Sequence, residues 1–498
     1  MSYLKKILLL SFVATISAYS QNYEISISIN TRNDTVLLGH YMAKSSATFI
    51  NDTVVLRNGR GVFSGNRILP KGVYFLVSDG RLLFDLIIGD SQQFGIVADT
   101  ADLFNLTRFT SSPDNEAFYR YRRYNVDRHT QLRQLNEQFR NATTDEERNS
   151  IRTQAQDIDS KGLEYTQKLI EENSDLYVSK VLRAIIPLQL PEHPRDEYGN
   201  ITDSMYVYRW WRNNFFSNLD IFDPDMLRTQ FYEEKLFEYI QRVIPQHTDT
   251  INAELDKILT RAHAVNDEVF RFILRNVFNH FAGSQEIIRG SVVPENIWVH
   301  LAEKWFIPYS HWSTEEFIEN LSNEVTKRKP NLIGAIAPPM EMLMILPPEH
   351  FRAAASDTAI KHDLHAGRMV NDFRTDNQLK NKFTVLYFWD FDCGHCRRGI
   401  QELFEVWEEY KDKGMQVITV QTVVSDGRGK GRWIDFVNEH NLFGNGWINA
   451  WSPYSYKYKE MYNIATVPVT YLLNENFEII LRGIVTEHVK DFFENQVH

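Results

Sequence analysis

The chain contains only two cysteines, and they stand two residues apart in Cys393-Gly394-His395-Cys396. The text on either side of them is sharply patterned. Phe383–Trp389 is an apolar run that suits a strand buried on both faces. Helical spacing follows over Gly394–Lys411, a strand-like run over Met415–Val424 and a helix over Arg432–His440, then strands over Val469–Leu473 and Glu478–Leu481. Strands alternating with helices predict an α/β domain with a central sheet flanked by helices. The cysteine pair falls where the first of these strands gives way to a helix.

That position has chemical consequences. The first turn of a helix leaves amide N–H groups without partners, and together with the macrodipole they favour negative charge. A thiol placed there is favoured as a thiolate nucleophile, so Cys393 is the candidate attacking group. Cys396 lies one turn along on the same side and can resolve a mixed disulfide. Gly394 and His395 between them are expected to tune the redox balance, His395 by adding positive charge beside the thiolate. Other readings of the pair are incomplete. A zinc site needs about four ligands, and only His395 or a distant His could join the two thiols. Haem attachment needs a His directly after the second Cys, where Arg397 stands. A structural disulfide here would staple almost nothing. No metal and no cofactor are therefore expected beyond a redox-active Cys393–Cys396 disulfide.

With 498 residues, 43% of them apolar, the chain is long enough for several domains. Residues 1–20 read as a signal peptide: Lys5 and Lys6, an apolar run from Ile7 to Ile16, then Ala18-Tyr19-Ser20 before Gln21. No later stretch of about 20 apolar residues follows, so an exported protein is expected. The net charge of −11 and the lack of a clustered basic face argue against nucleic acid as a partner. Residues 21–112 carry short alternating runs, Tyr23–Ile29 the clearest, with turn signals at Asn58-Gly59 and Asp79-Gly80. They predict a β-rich antiparallel domain. Pro113 opens an all-α middle domain over 113–329, in which two long antiparallel helices meet near Asn141–Asp145. Its aromatic cluster Tyr208–Phe216 reads as core rather than as a recognition surface. The Pro-bearing stretch 330–365 reads as a linker into an α/β domain over 366–498, and the Gly-rich basic Asp426–Arg432 segment as a flexible loop. No catalytic set is visible before the linker. A binding or envelope-scaffold role for the first two domains, with a weakly active last one, is therefore the alternative to an enzyme.

The segment Phe388-Trp389-Asp390-Phe391-Asp392-Cys393-Gly394-His395-Cys396 resembles the active site of thioredoxin-like proteins, and Thr466-Val467-Pro468 is similar to their cis-proline loop. Joined to a leader, a β-rich domain and a helical middle, it looks like the TlpA/ResA-type proteins of Bacteroidetes. The resemblance implies a thioredoxin fold and thiol-disulfide oxidoreductase activity on protein thiol or disulfide substrates, more in the reducing direction. It also implies a membrane-bound thiol electron donor and residence in the periplasm or cell envelope of a Gram-negative bacterium. Trp389, Val467 and Pro468 are the residues it points to for substrate contact. Two departures stand out. Relatives carry a Glu three residues after the second Cys and a Pro two further on, where this chain has Gly399 and Gln401; thioredoxin's buried Asp is Tyr387 here. Asp390, Asp392 and Glu402 are the nearby carboxylates that could take a proton from Cys396. The oligomeric state is not written in the sequence.

Overall fold

The structure is a computed structural model that describes residues 22–282, 292–345, 367–422, 427–452 and 457–496. The leader segment and all of 346–365 lie outside the described residues. The chain divides into two compact units, one holding residues up to Pro245 with Arg261–Phe270, the other Gln246–Thr260 with Arg271–His498.

The first unit begins with eight strands in two four-stranded sheets. These are β1 (Tyr23–Asn30), β2 (Thr35–Met42), β3 (Lys44–Val55), β4 (Arg60–Gly65), β5 (Gly72–Ser78), β6 (Arg81–Ile88), β7 (Gln93–Asp99) and β8 (Arg108–Thr110). The orders are β4-β1-β7-β8 and β3-β2-β5-β6. Alternation sets the faces: Tyr23, Ile25, Ile27 and Ile29 of β1 are buried and the residues between them are not. One pairing departs from the antiparallel expectation, since β1 runs parallel to β7.

Helices α1 (Pro113–Asn141) and α2 (Asp145–Glu172) form the expected antiparallel hairpin. Tyr124 stacks on Tyr165 at 4.0 Å, and Arg120 bonds Glu172 at 3.0 Å. Thr144 and Glu147 cap α2 reciprocally in a capping box. Asn115 in the first turn of α1 bonds both the N–H and the carbonyl of Ile87, which fastens the hairpin to β6. After α3 (Tyr177–Ile185) and α4 (Tyr206–Asn214) comes α5 (Tyr232–Glu238). In the aromatic cluster only Phe215 is buried; α4 itself has no buried residue.

The middle helices do not form one separate domain. The division between the two units falls inside α6 (Thr248–Val265) and α7 (Asp267–Ala282), and α8 (Pro294–Leu301), α9 (Ile307–Tyr309) and α10 (Glu315–Arg328) belong with the C-terminal sheet.

That sheet has seven strands in the order β10-β9-β13-β12-β11-β14-β15. They are β9 (Met342–Ile345), β10 (Arg368–Val370), β11 (Phe383–Trp389), β12 (Met415–Gln421), β13 (Trp447–Trp451), β14 (Val469–Asn474) and β15 (Ile479–Arg482). The central β11, β12 and β13 are mutually parallel, and β14, β15 and β9 add antiparallel strands. Its helices are α11 (Gly394–Tyr410), α12 (Gly427–Glu439), α13 (Lys457–Met461) and α14 (Thr486–Gln496). Residues of β11 alternate between two cores. Val385, Tyr387 and Trp389 face the core that holds Cys396, Trp407, Trp433 and Phe493. Leu386 and Phe388 face the one that holds Met340, Tyr458 and Tyr462.

Two sequence expectations are corrected. The linker is folded over its first part: Gly334 N–H bonds Ile479 O and Ala337 N–H bonds Phe477 O, each at 2.8 Å, and β9 pairs with β13. Pro338 and Pro339 hid this, because proline signals a break when read locally, whereas here the strand begins just after them. The Gly-rich basic segment is helical from Gly427 onward. Trp433, fully buried in the core, anchors that helix against its weak local propensity.

Candidate active site

β11 ends at Trp389, the chain turns through Asp390–Asp392, and α11 begins at Gly394 with Cys393 as its N-cap. The turn is held locally. Asp392 N–H bonds Asp390 Oδ1 at 2.9 Å, and Cys393 N–H bonds Asp390 O at 3.1 Å. Arg432 from α12 adds a second clamp, with both terminal nitrogens on the Asp392 carboxylate at 3.0 and 3.1 Å and its guanidinium over the Phe391 ring at 4.8 Å.

The two thiols sit in different surroundings. Cys393 is half-exposed, and its Sγ accepts the Cys396 N–H at 3.3 Å, the place a serine or aspartate oxygen takes at an ordinary helix start. Cys396 is fully buried. Burial, then the hydrogen bond and negative charge of Cys393 together with the charge of Asp390, push the Cys396 thiol up to about 12. Cys396 is thus held as a neutral thiol while Cys393 is open to a partner.

The helper groups expected from relatives are replaced by one interlocking pair. Tyr387 projects from β11 and donates to the Cys396 carbonyl at 3.2 Å. A Cβ at position 399 would stand 2.6 Å from its hydroxyl. Gly399 is therefore the residue that makes room for the Tyr387 hydroxyl, and a glutamate there would collide with it. Burial first, then the charges of the two cysteines and Glu402, raise Tyr387 far above the usual tyrosine value, so it acts as a permanent donor. Among the three carboxylates considered, Asp390 is the one whose charge acts on Cys396. Asp392 is tied up by Arg432, and Glu402 acts on Tyr387 instead.

Two expectations about neighbours are revised. Trp389 is fully buried beneath Phe436, at ring centroids 5.8 Å apart. It supports the site from within the core and offers no surface to a substrate. His395 bonds Arg398 through Nδ1 at 2.8 Å, and a guanidinium can only donate, so the ring accepts there and the cation at this rim is the arginine. Gly394 is exposed with nothing within 4 Å of where a Cβ would lie. The Val467–Pro468 peptide is cis, Pro468 is exposed, and Val467 and Cys393 pack against the same core. Neither backbone polar group of Val467 is hydrogen-bonded among the described residues. No cluster of three or more potential metal ligands occurs among the described residues.

Residues 355–479 match the AhpC/TSA family. The C-terminal domain is thioredoxin-like in fold and is similar to TlpA/ResA-type proteins. Over 119 residues the chain is 27% identical to thiol-disulfide oxidoreductase ResA of Oceanobacillus iheyensis, a match covering 22% of this chain. The matched part spans 54% of that relative's length. Solved structures similar to it include a thioredoxin-like protein from Bacteroides caccae, at 17% identity, with TM-score 0.38, 63% of this chain covered and 99% of that one. Another is a domain of a possible thiol-disulfide isomerase from Cytophaga hutchinsonii, at 26% identity, with TM-score 0.23, 33% of this chain and 91% of that one covered. Gly399 and Tyr387 are the two positions at which the sequence departs from the carboxyl pattern that the resemblance implies. The sequence shows both departures separately; only the fold shows that they touch.

Proposed function

We propose that the protein is an exported thiol-disulfide oxidoreductase that acts on protein disulfides through Cys393 and Cys396, in the reducing direction. The asymmetry of the two thiols carries this reading. One is half-exposed at a helix start, and the other is buried and held neutral directly behind it. In the reaction, the Cys393 thiolate attacks one sulfur of the substrate disulfide and the other leaves as a thiolate that takes a proton from water. Cys396 then gives up its proton and attacks Cys393 Sγ. That releases the second substrate thiolate and leaves a Cys393–Cys396 disulfide, with two electrons transferred to the substrate. Asp390 is the carboxylate best placed to draw that proton, and the unpaired backbone of Val467 is suited to hold an extended substrate segment. The N-terminal segment supports export to a periplasm or cell envelope. Turnover as a reductant then requires a thiol donor, for which a membrane-bound dithiol protein is the natural class.

The test is trapping. Cys396→Ser is expected to accumulate a covalent adduct through Cys393 with a disulfide protein such as insulin, seen as an added mass that dithiothreitol removes. Cys393→Ser is expected to give neither adduct nor insulin reduction. A wild-type protein that reduces no disulfide and shows no dithiol couple would overturn the enzyme reading in favour of a scaffold role. The reduction potential decides direction: near −270 mV indicates a reductant, near −120 mV an oxidant.

A further inference from the structure

The surface around Cys393 carries the opposite sign to the molecule as a whole. The chain is acidic, with a net charge of −11. The first turn of α11 nevertheless presents Arg397 and Arg398, both exposed, directly beside the half-exposed nucleophile. The carboxylates that could neutralise this turn are engaged or set apart. Asp392 is held bidentately by Arg432, and Asp390 is half-buried with Oδ1 accepting the Asp392 N–H. Glu402, one turn along from Arg398, makes no ion pair with it, and neither Arg397 nor Arg398 pairs with any carboxylate among the described residues. Arg398 instead turns toward the thiols' own turn, onto His395 Nδ1. Glu487 on α14 is exposed and makes no ion pair with either arginine.

These two guanidiniums, one and two residues past the buried thiol on an acidic protein, have no carboxylate partner among the described residues, and Arg398 bonds only the neighbouring His395. Arginine's planar fork suits bidentate recognition of carboxylates. We propose that Arg397 and Arg398 select substrates whose disulfide cysteine is flanked by aspartate or glutamate. This rests on the thiol-disulfide reading above and names the substrate class of that same site. The attacking thiolate and an acidic flank would otherwise repel each other; the two cations offset that repulsion at the moment the mixed disulfide forms. The net acidity of the remaining surface sharpens the choice, because only a substrate aligned with this rim meets attraction.

The experiment uses the full chain, reduced and freed of reductant, in single turnover. The probes are two symmetric peptide disulfides of identical length, one with Glu on both sides of the cysteine and one with Gln. Second-order rate constants are followed by tryptophan fluorescence or by quenched mass spectrometry, at about 0.01 M and about 1 M salt. At low salt the Glu peptide is expected to react about tenfold faster than the Gln peptide, and at high salt the ratio should fall to about two. Arg397→Gln with Arg398→Gln is expected to bring the low-salt ratio down to about two as well. Equal low-salt rates for the two peptides would overturn this proposal while leaving the oxidoreductase reading standing. Failure of wild type to react with either peptide would remove both. The salt comparison needs no variant, so poor folding of the double mutant cannot rescue the idea.

Discussion

Gly399 shows how much one missing Cβ decides at the residue scale. Ala in place of a mid-helix glycine ordinarily gains about 1 kcal/mol. Here the new carbon would stand 2.6 Å from the Tyr387 hydroxyl, and overpacking of that kind costs about 1–3 kcal/mol. Gly399→Ala is therefore expected to destabilise the wild-type protein. In a Tyr387→Phe background the nearest ring atom stands at 3.6 Å, ordinary contact, and the same change is expected to stabilise. Chemical denaturation of the four proteins reads the coupling, and an effect of the same sign in both backgrounds would sink the idea. Cys396 gives a pH signature of its own. Its folded-state value is raised from 9.0 toward about 12, so the neutral thiol stabilises the reduced fold below about pH 9. That contribution declines as pH rises from there toward about 12. Reduced wild type should lose stability over this range more steeply than Cys396→Ala. Alkylation at neutral pH, mapped by peptide mass, should mark Cys393 and spare Cys396.

At the scale of elements, the C-terminal domain begins earlier than its local signals suggest. The segment after α10 enters the sheet's core through polar contacts that only the fold creates. Asn331, fully buried, bonds Met461 O at 2.7 Å and takes the Tyr471 hydroxyl at 3.1 Å. Tyr471 also donates to Tyr462 O at 2.7 Å, and Tyr462 to Pro338 O at 2.6 Å. Tyr471→Phe should cost about 1–3 kcal/mol, because it leaves buried acceptors unpaired, and thermal unfolding of the full chain measures it. A second expectation concerns the turn into β13. A Cβ on Gly444 would fall 2.1 Å from the Trp407 indole, which has no free end to swing aside. Gly444→Ala should therefore lower the melting temperature by several degrees, as a change of about 1–3 kcal/mol would. These elements were hard to read in sequence for one reason. β9, β10 and β13 are short, and their reason to be strands is a partner strand distant along the chain. β11 and α11 were legible to the residue or nearly so, because a run of seven residues buried on both faces and a helix with one apolar stripe are local patterns.

At the scale of the whole molecule, the division into two units runs through α6 and α7, so no single cut in the chain separates them. Cys393 and Cys396 both lie in the second unit. Calorimetry is expected to resolve two transitions, with Cys396→Ala moving only one of them; a single transition shifted as a whole would refute this. The broad order of β-rich, helical and thioredoxin-like parts was written in the sequence, since periodicity and turn residues are local. So was the placement of the two thiols at a strand-to-helix junction, because the strand and the helix are both local patterns. Tertiary structure alone decided which helices join which sheet, that Trp389 faces inward, and that Tyr387 fills the space Gly399 leaves. It also decided that Arg432 is spent on Asp392 while Arg397 and Arg398 have no carboxylate partner among the described residues. Each of these depends on residues brought together across the chain. Steric fit and charge pairing act through space, and a linear pattern records only neighbours in sequence.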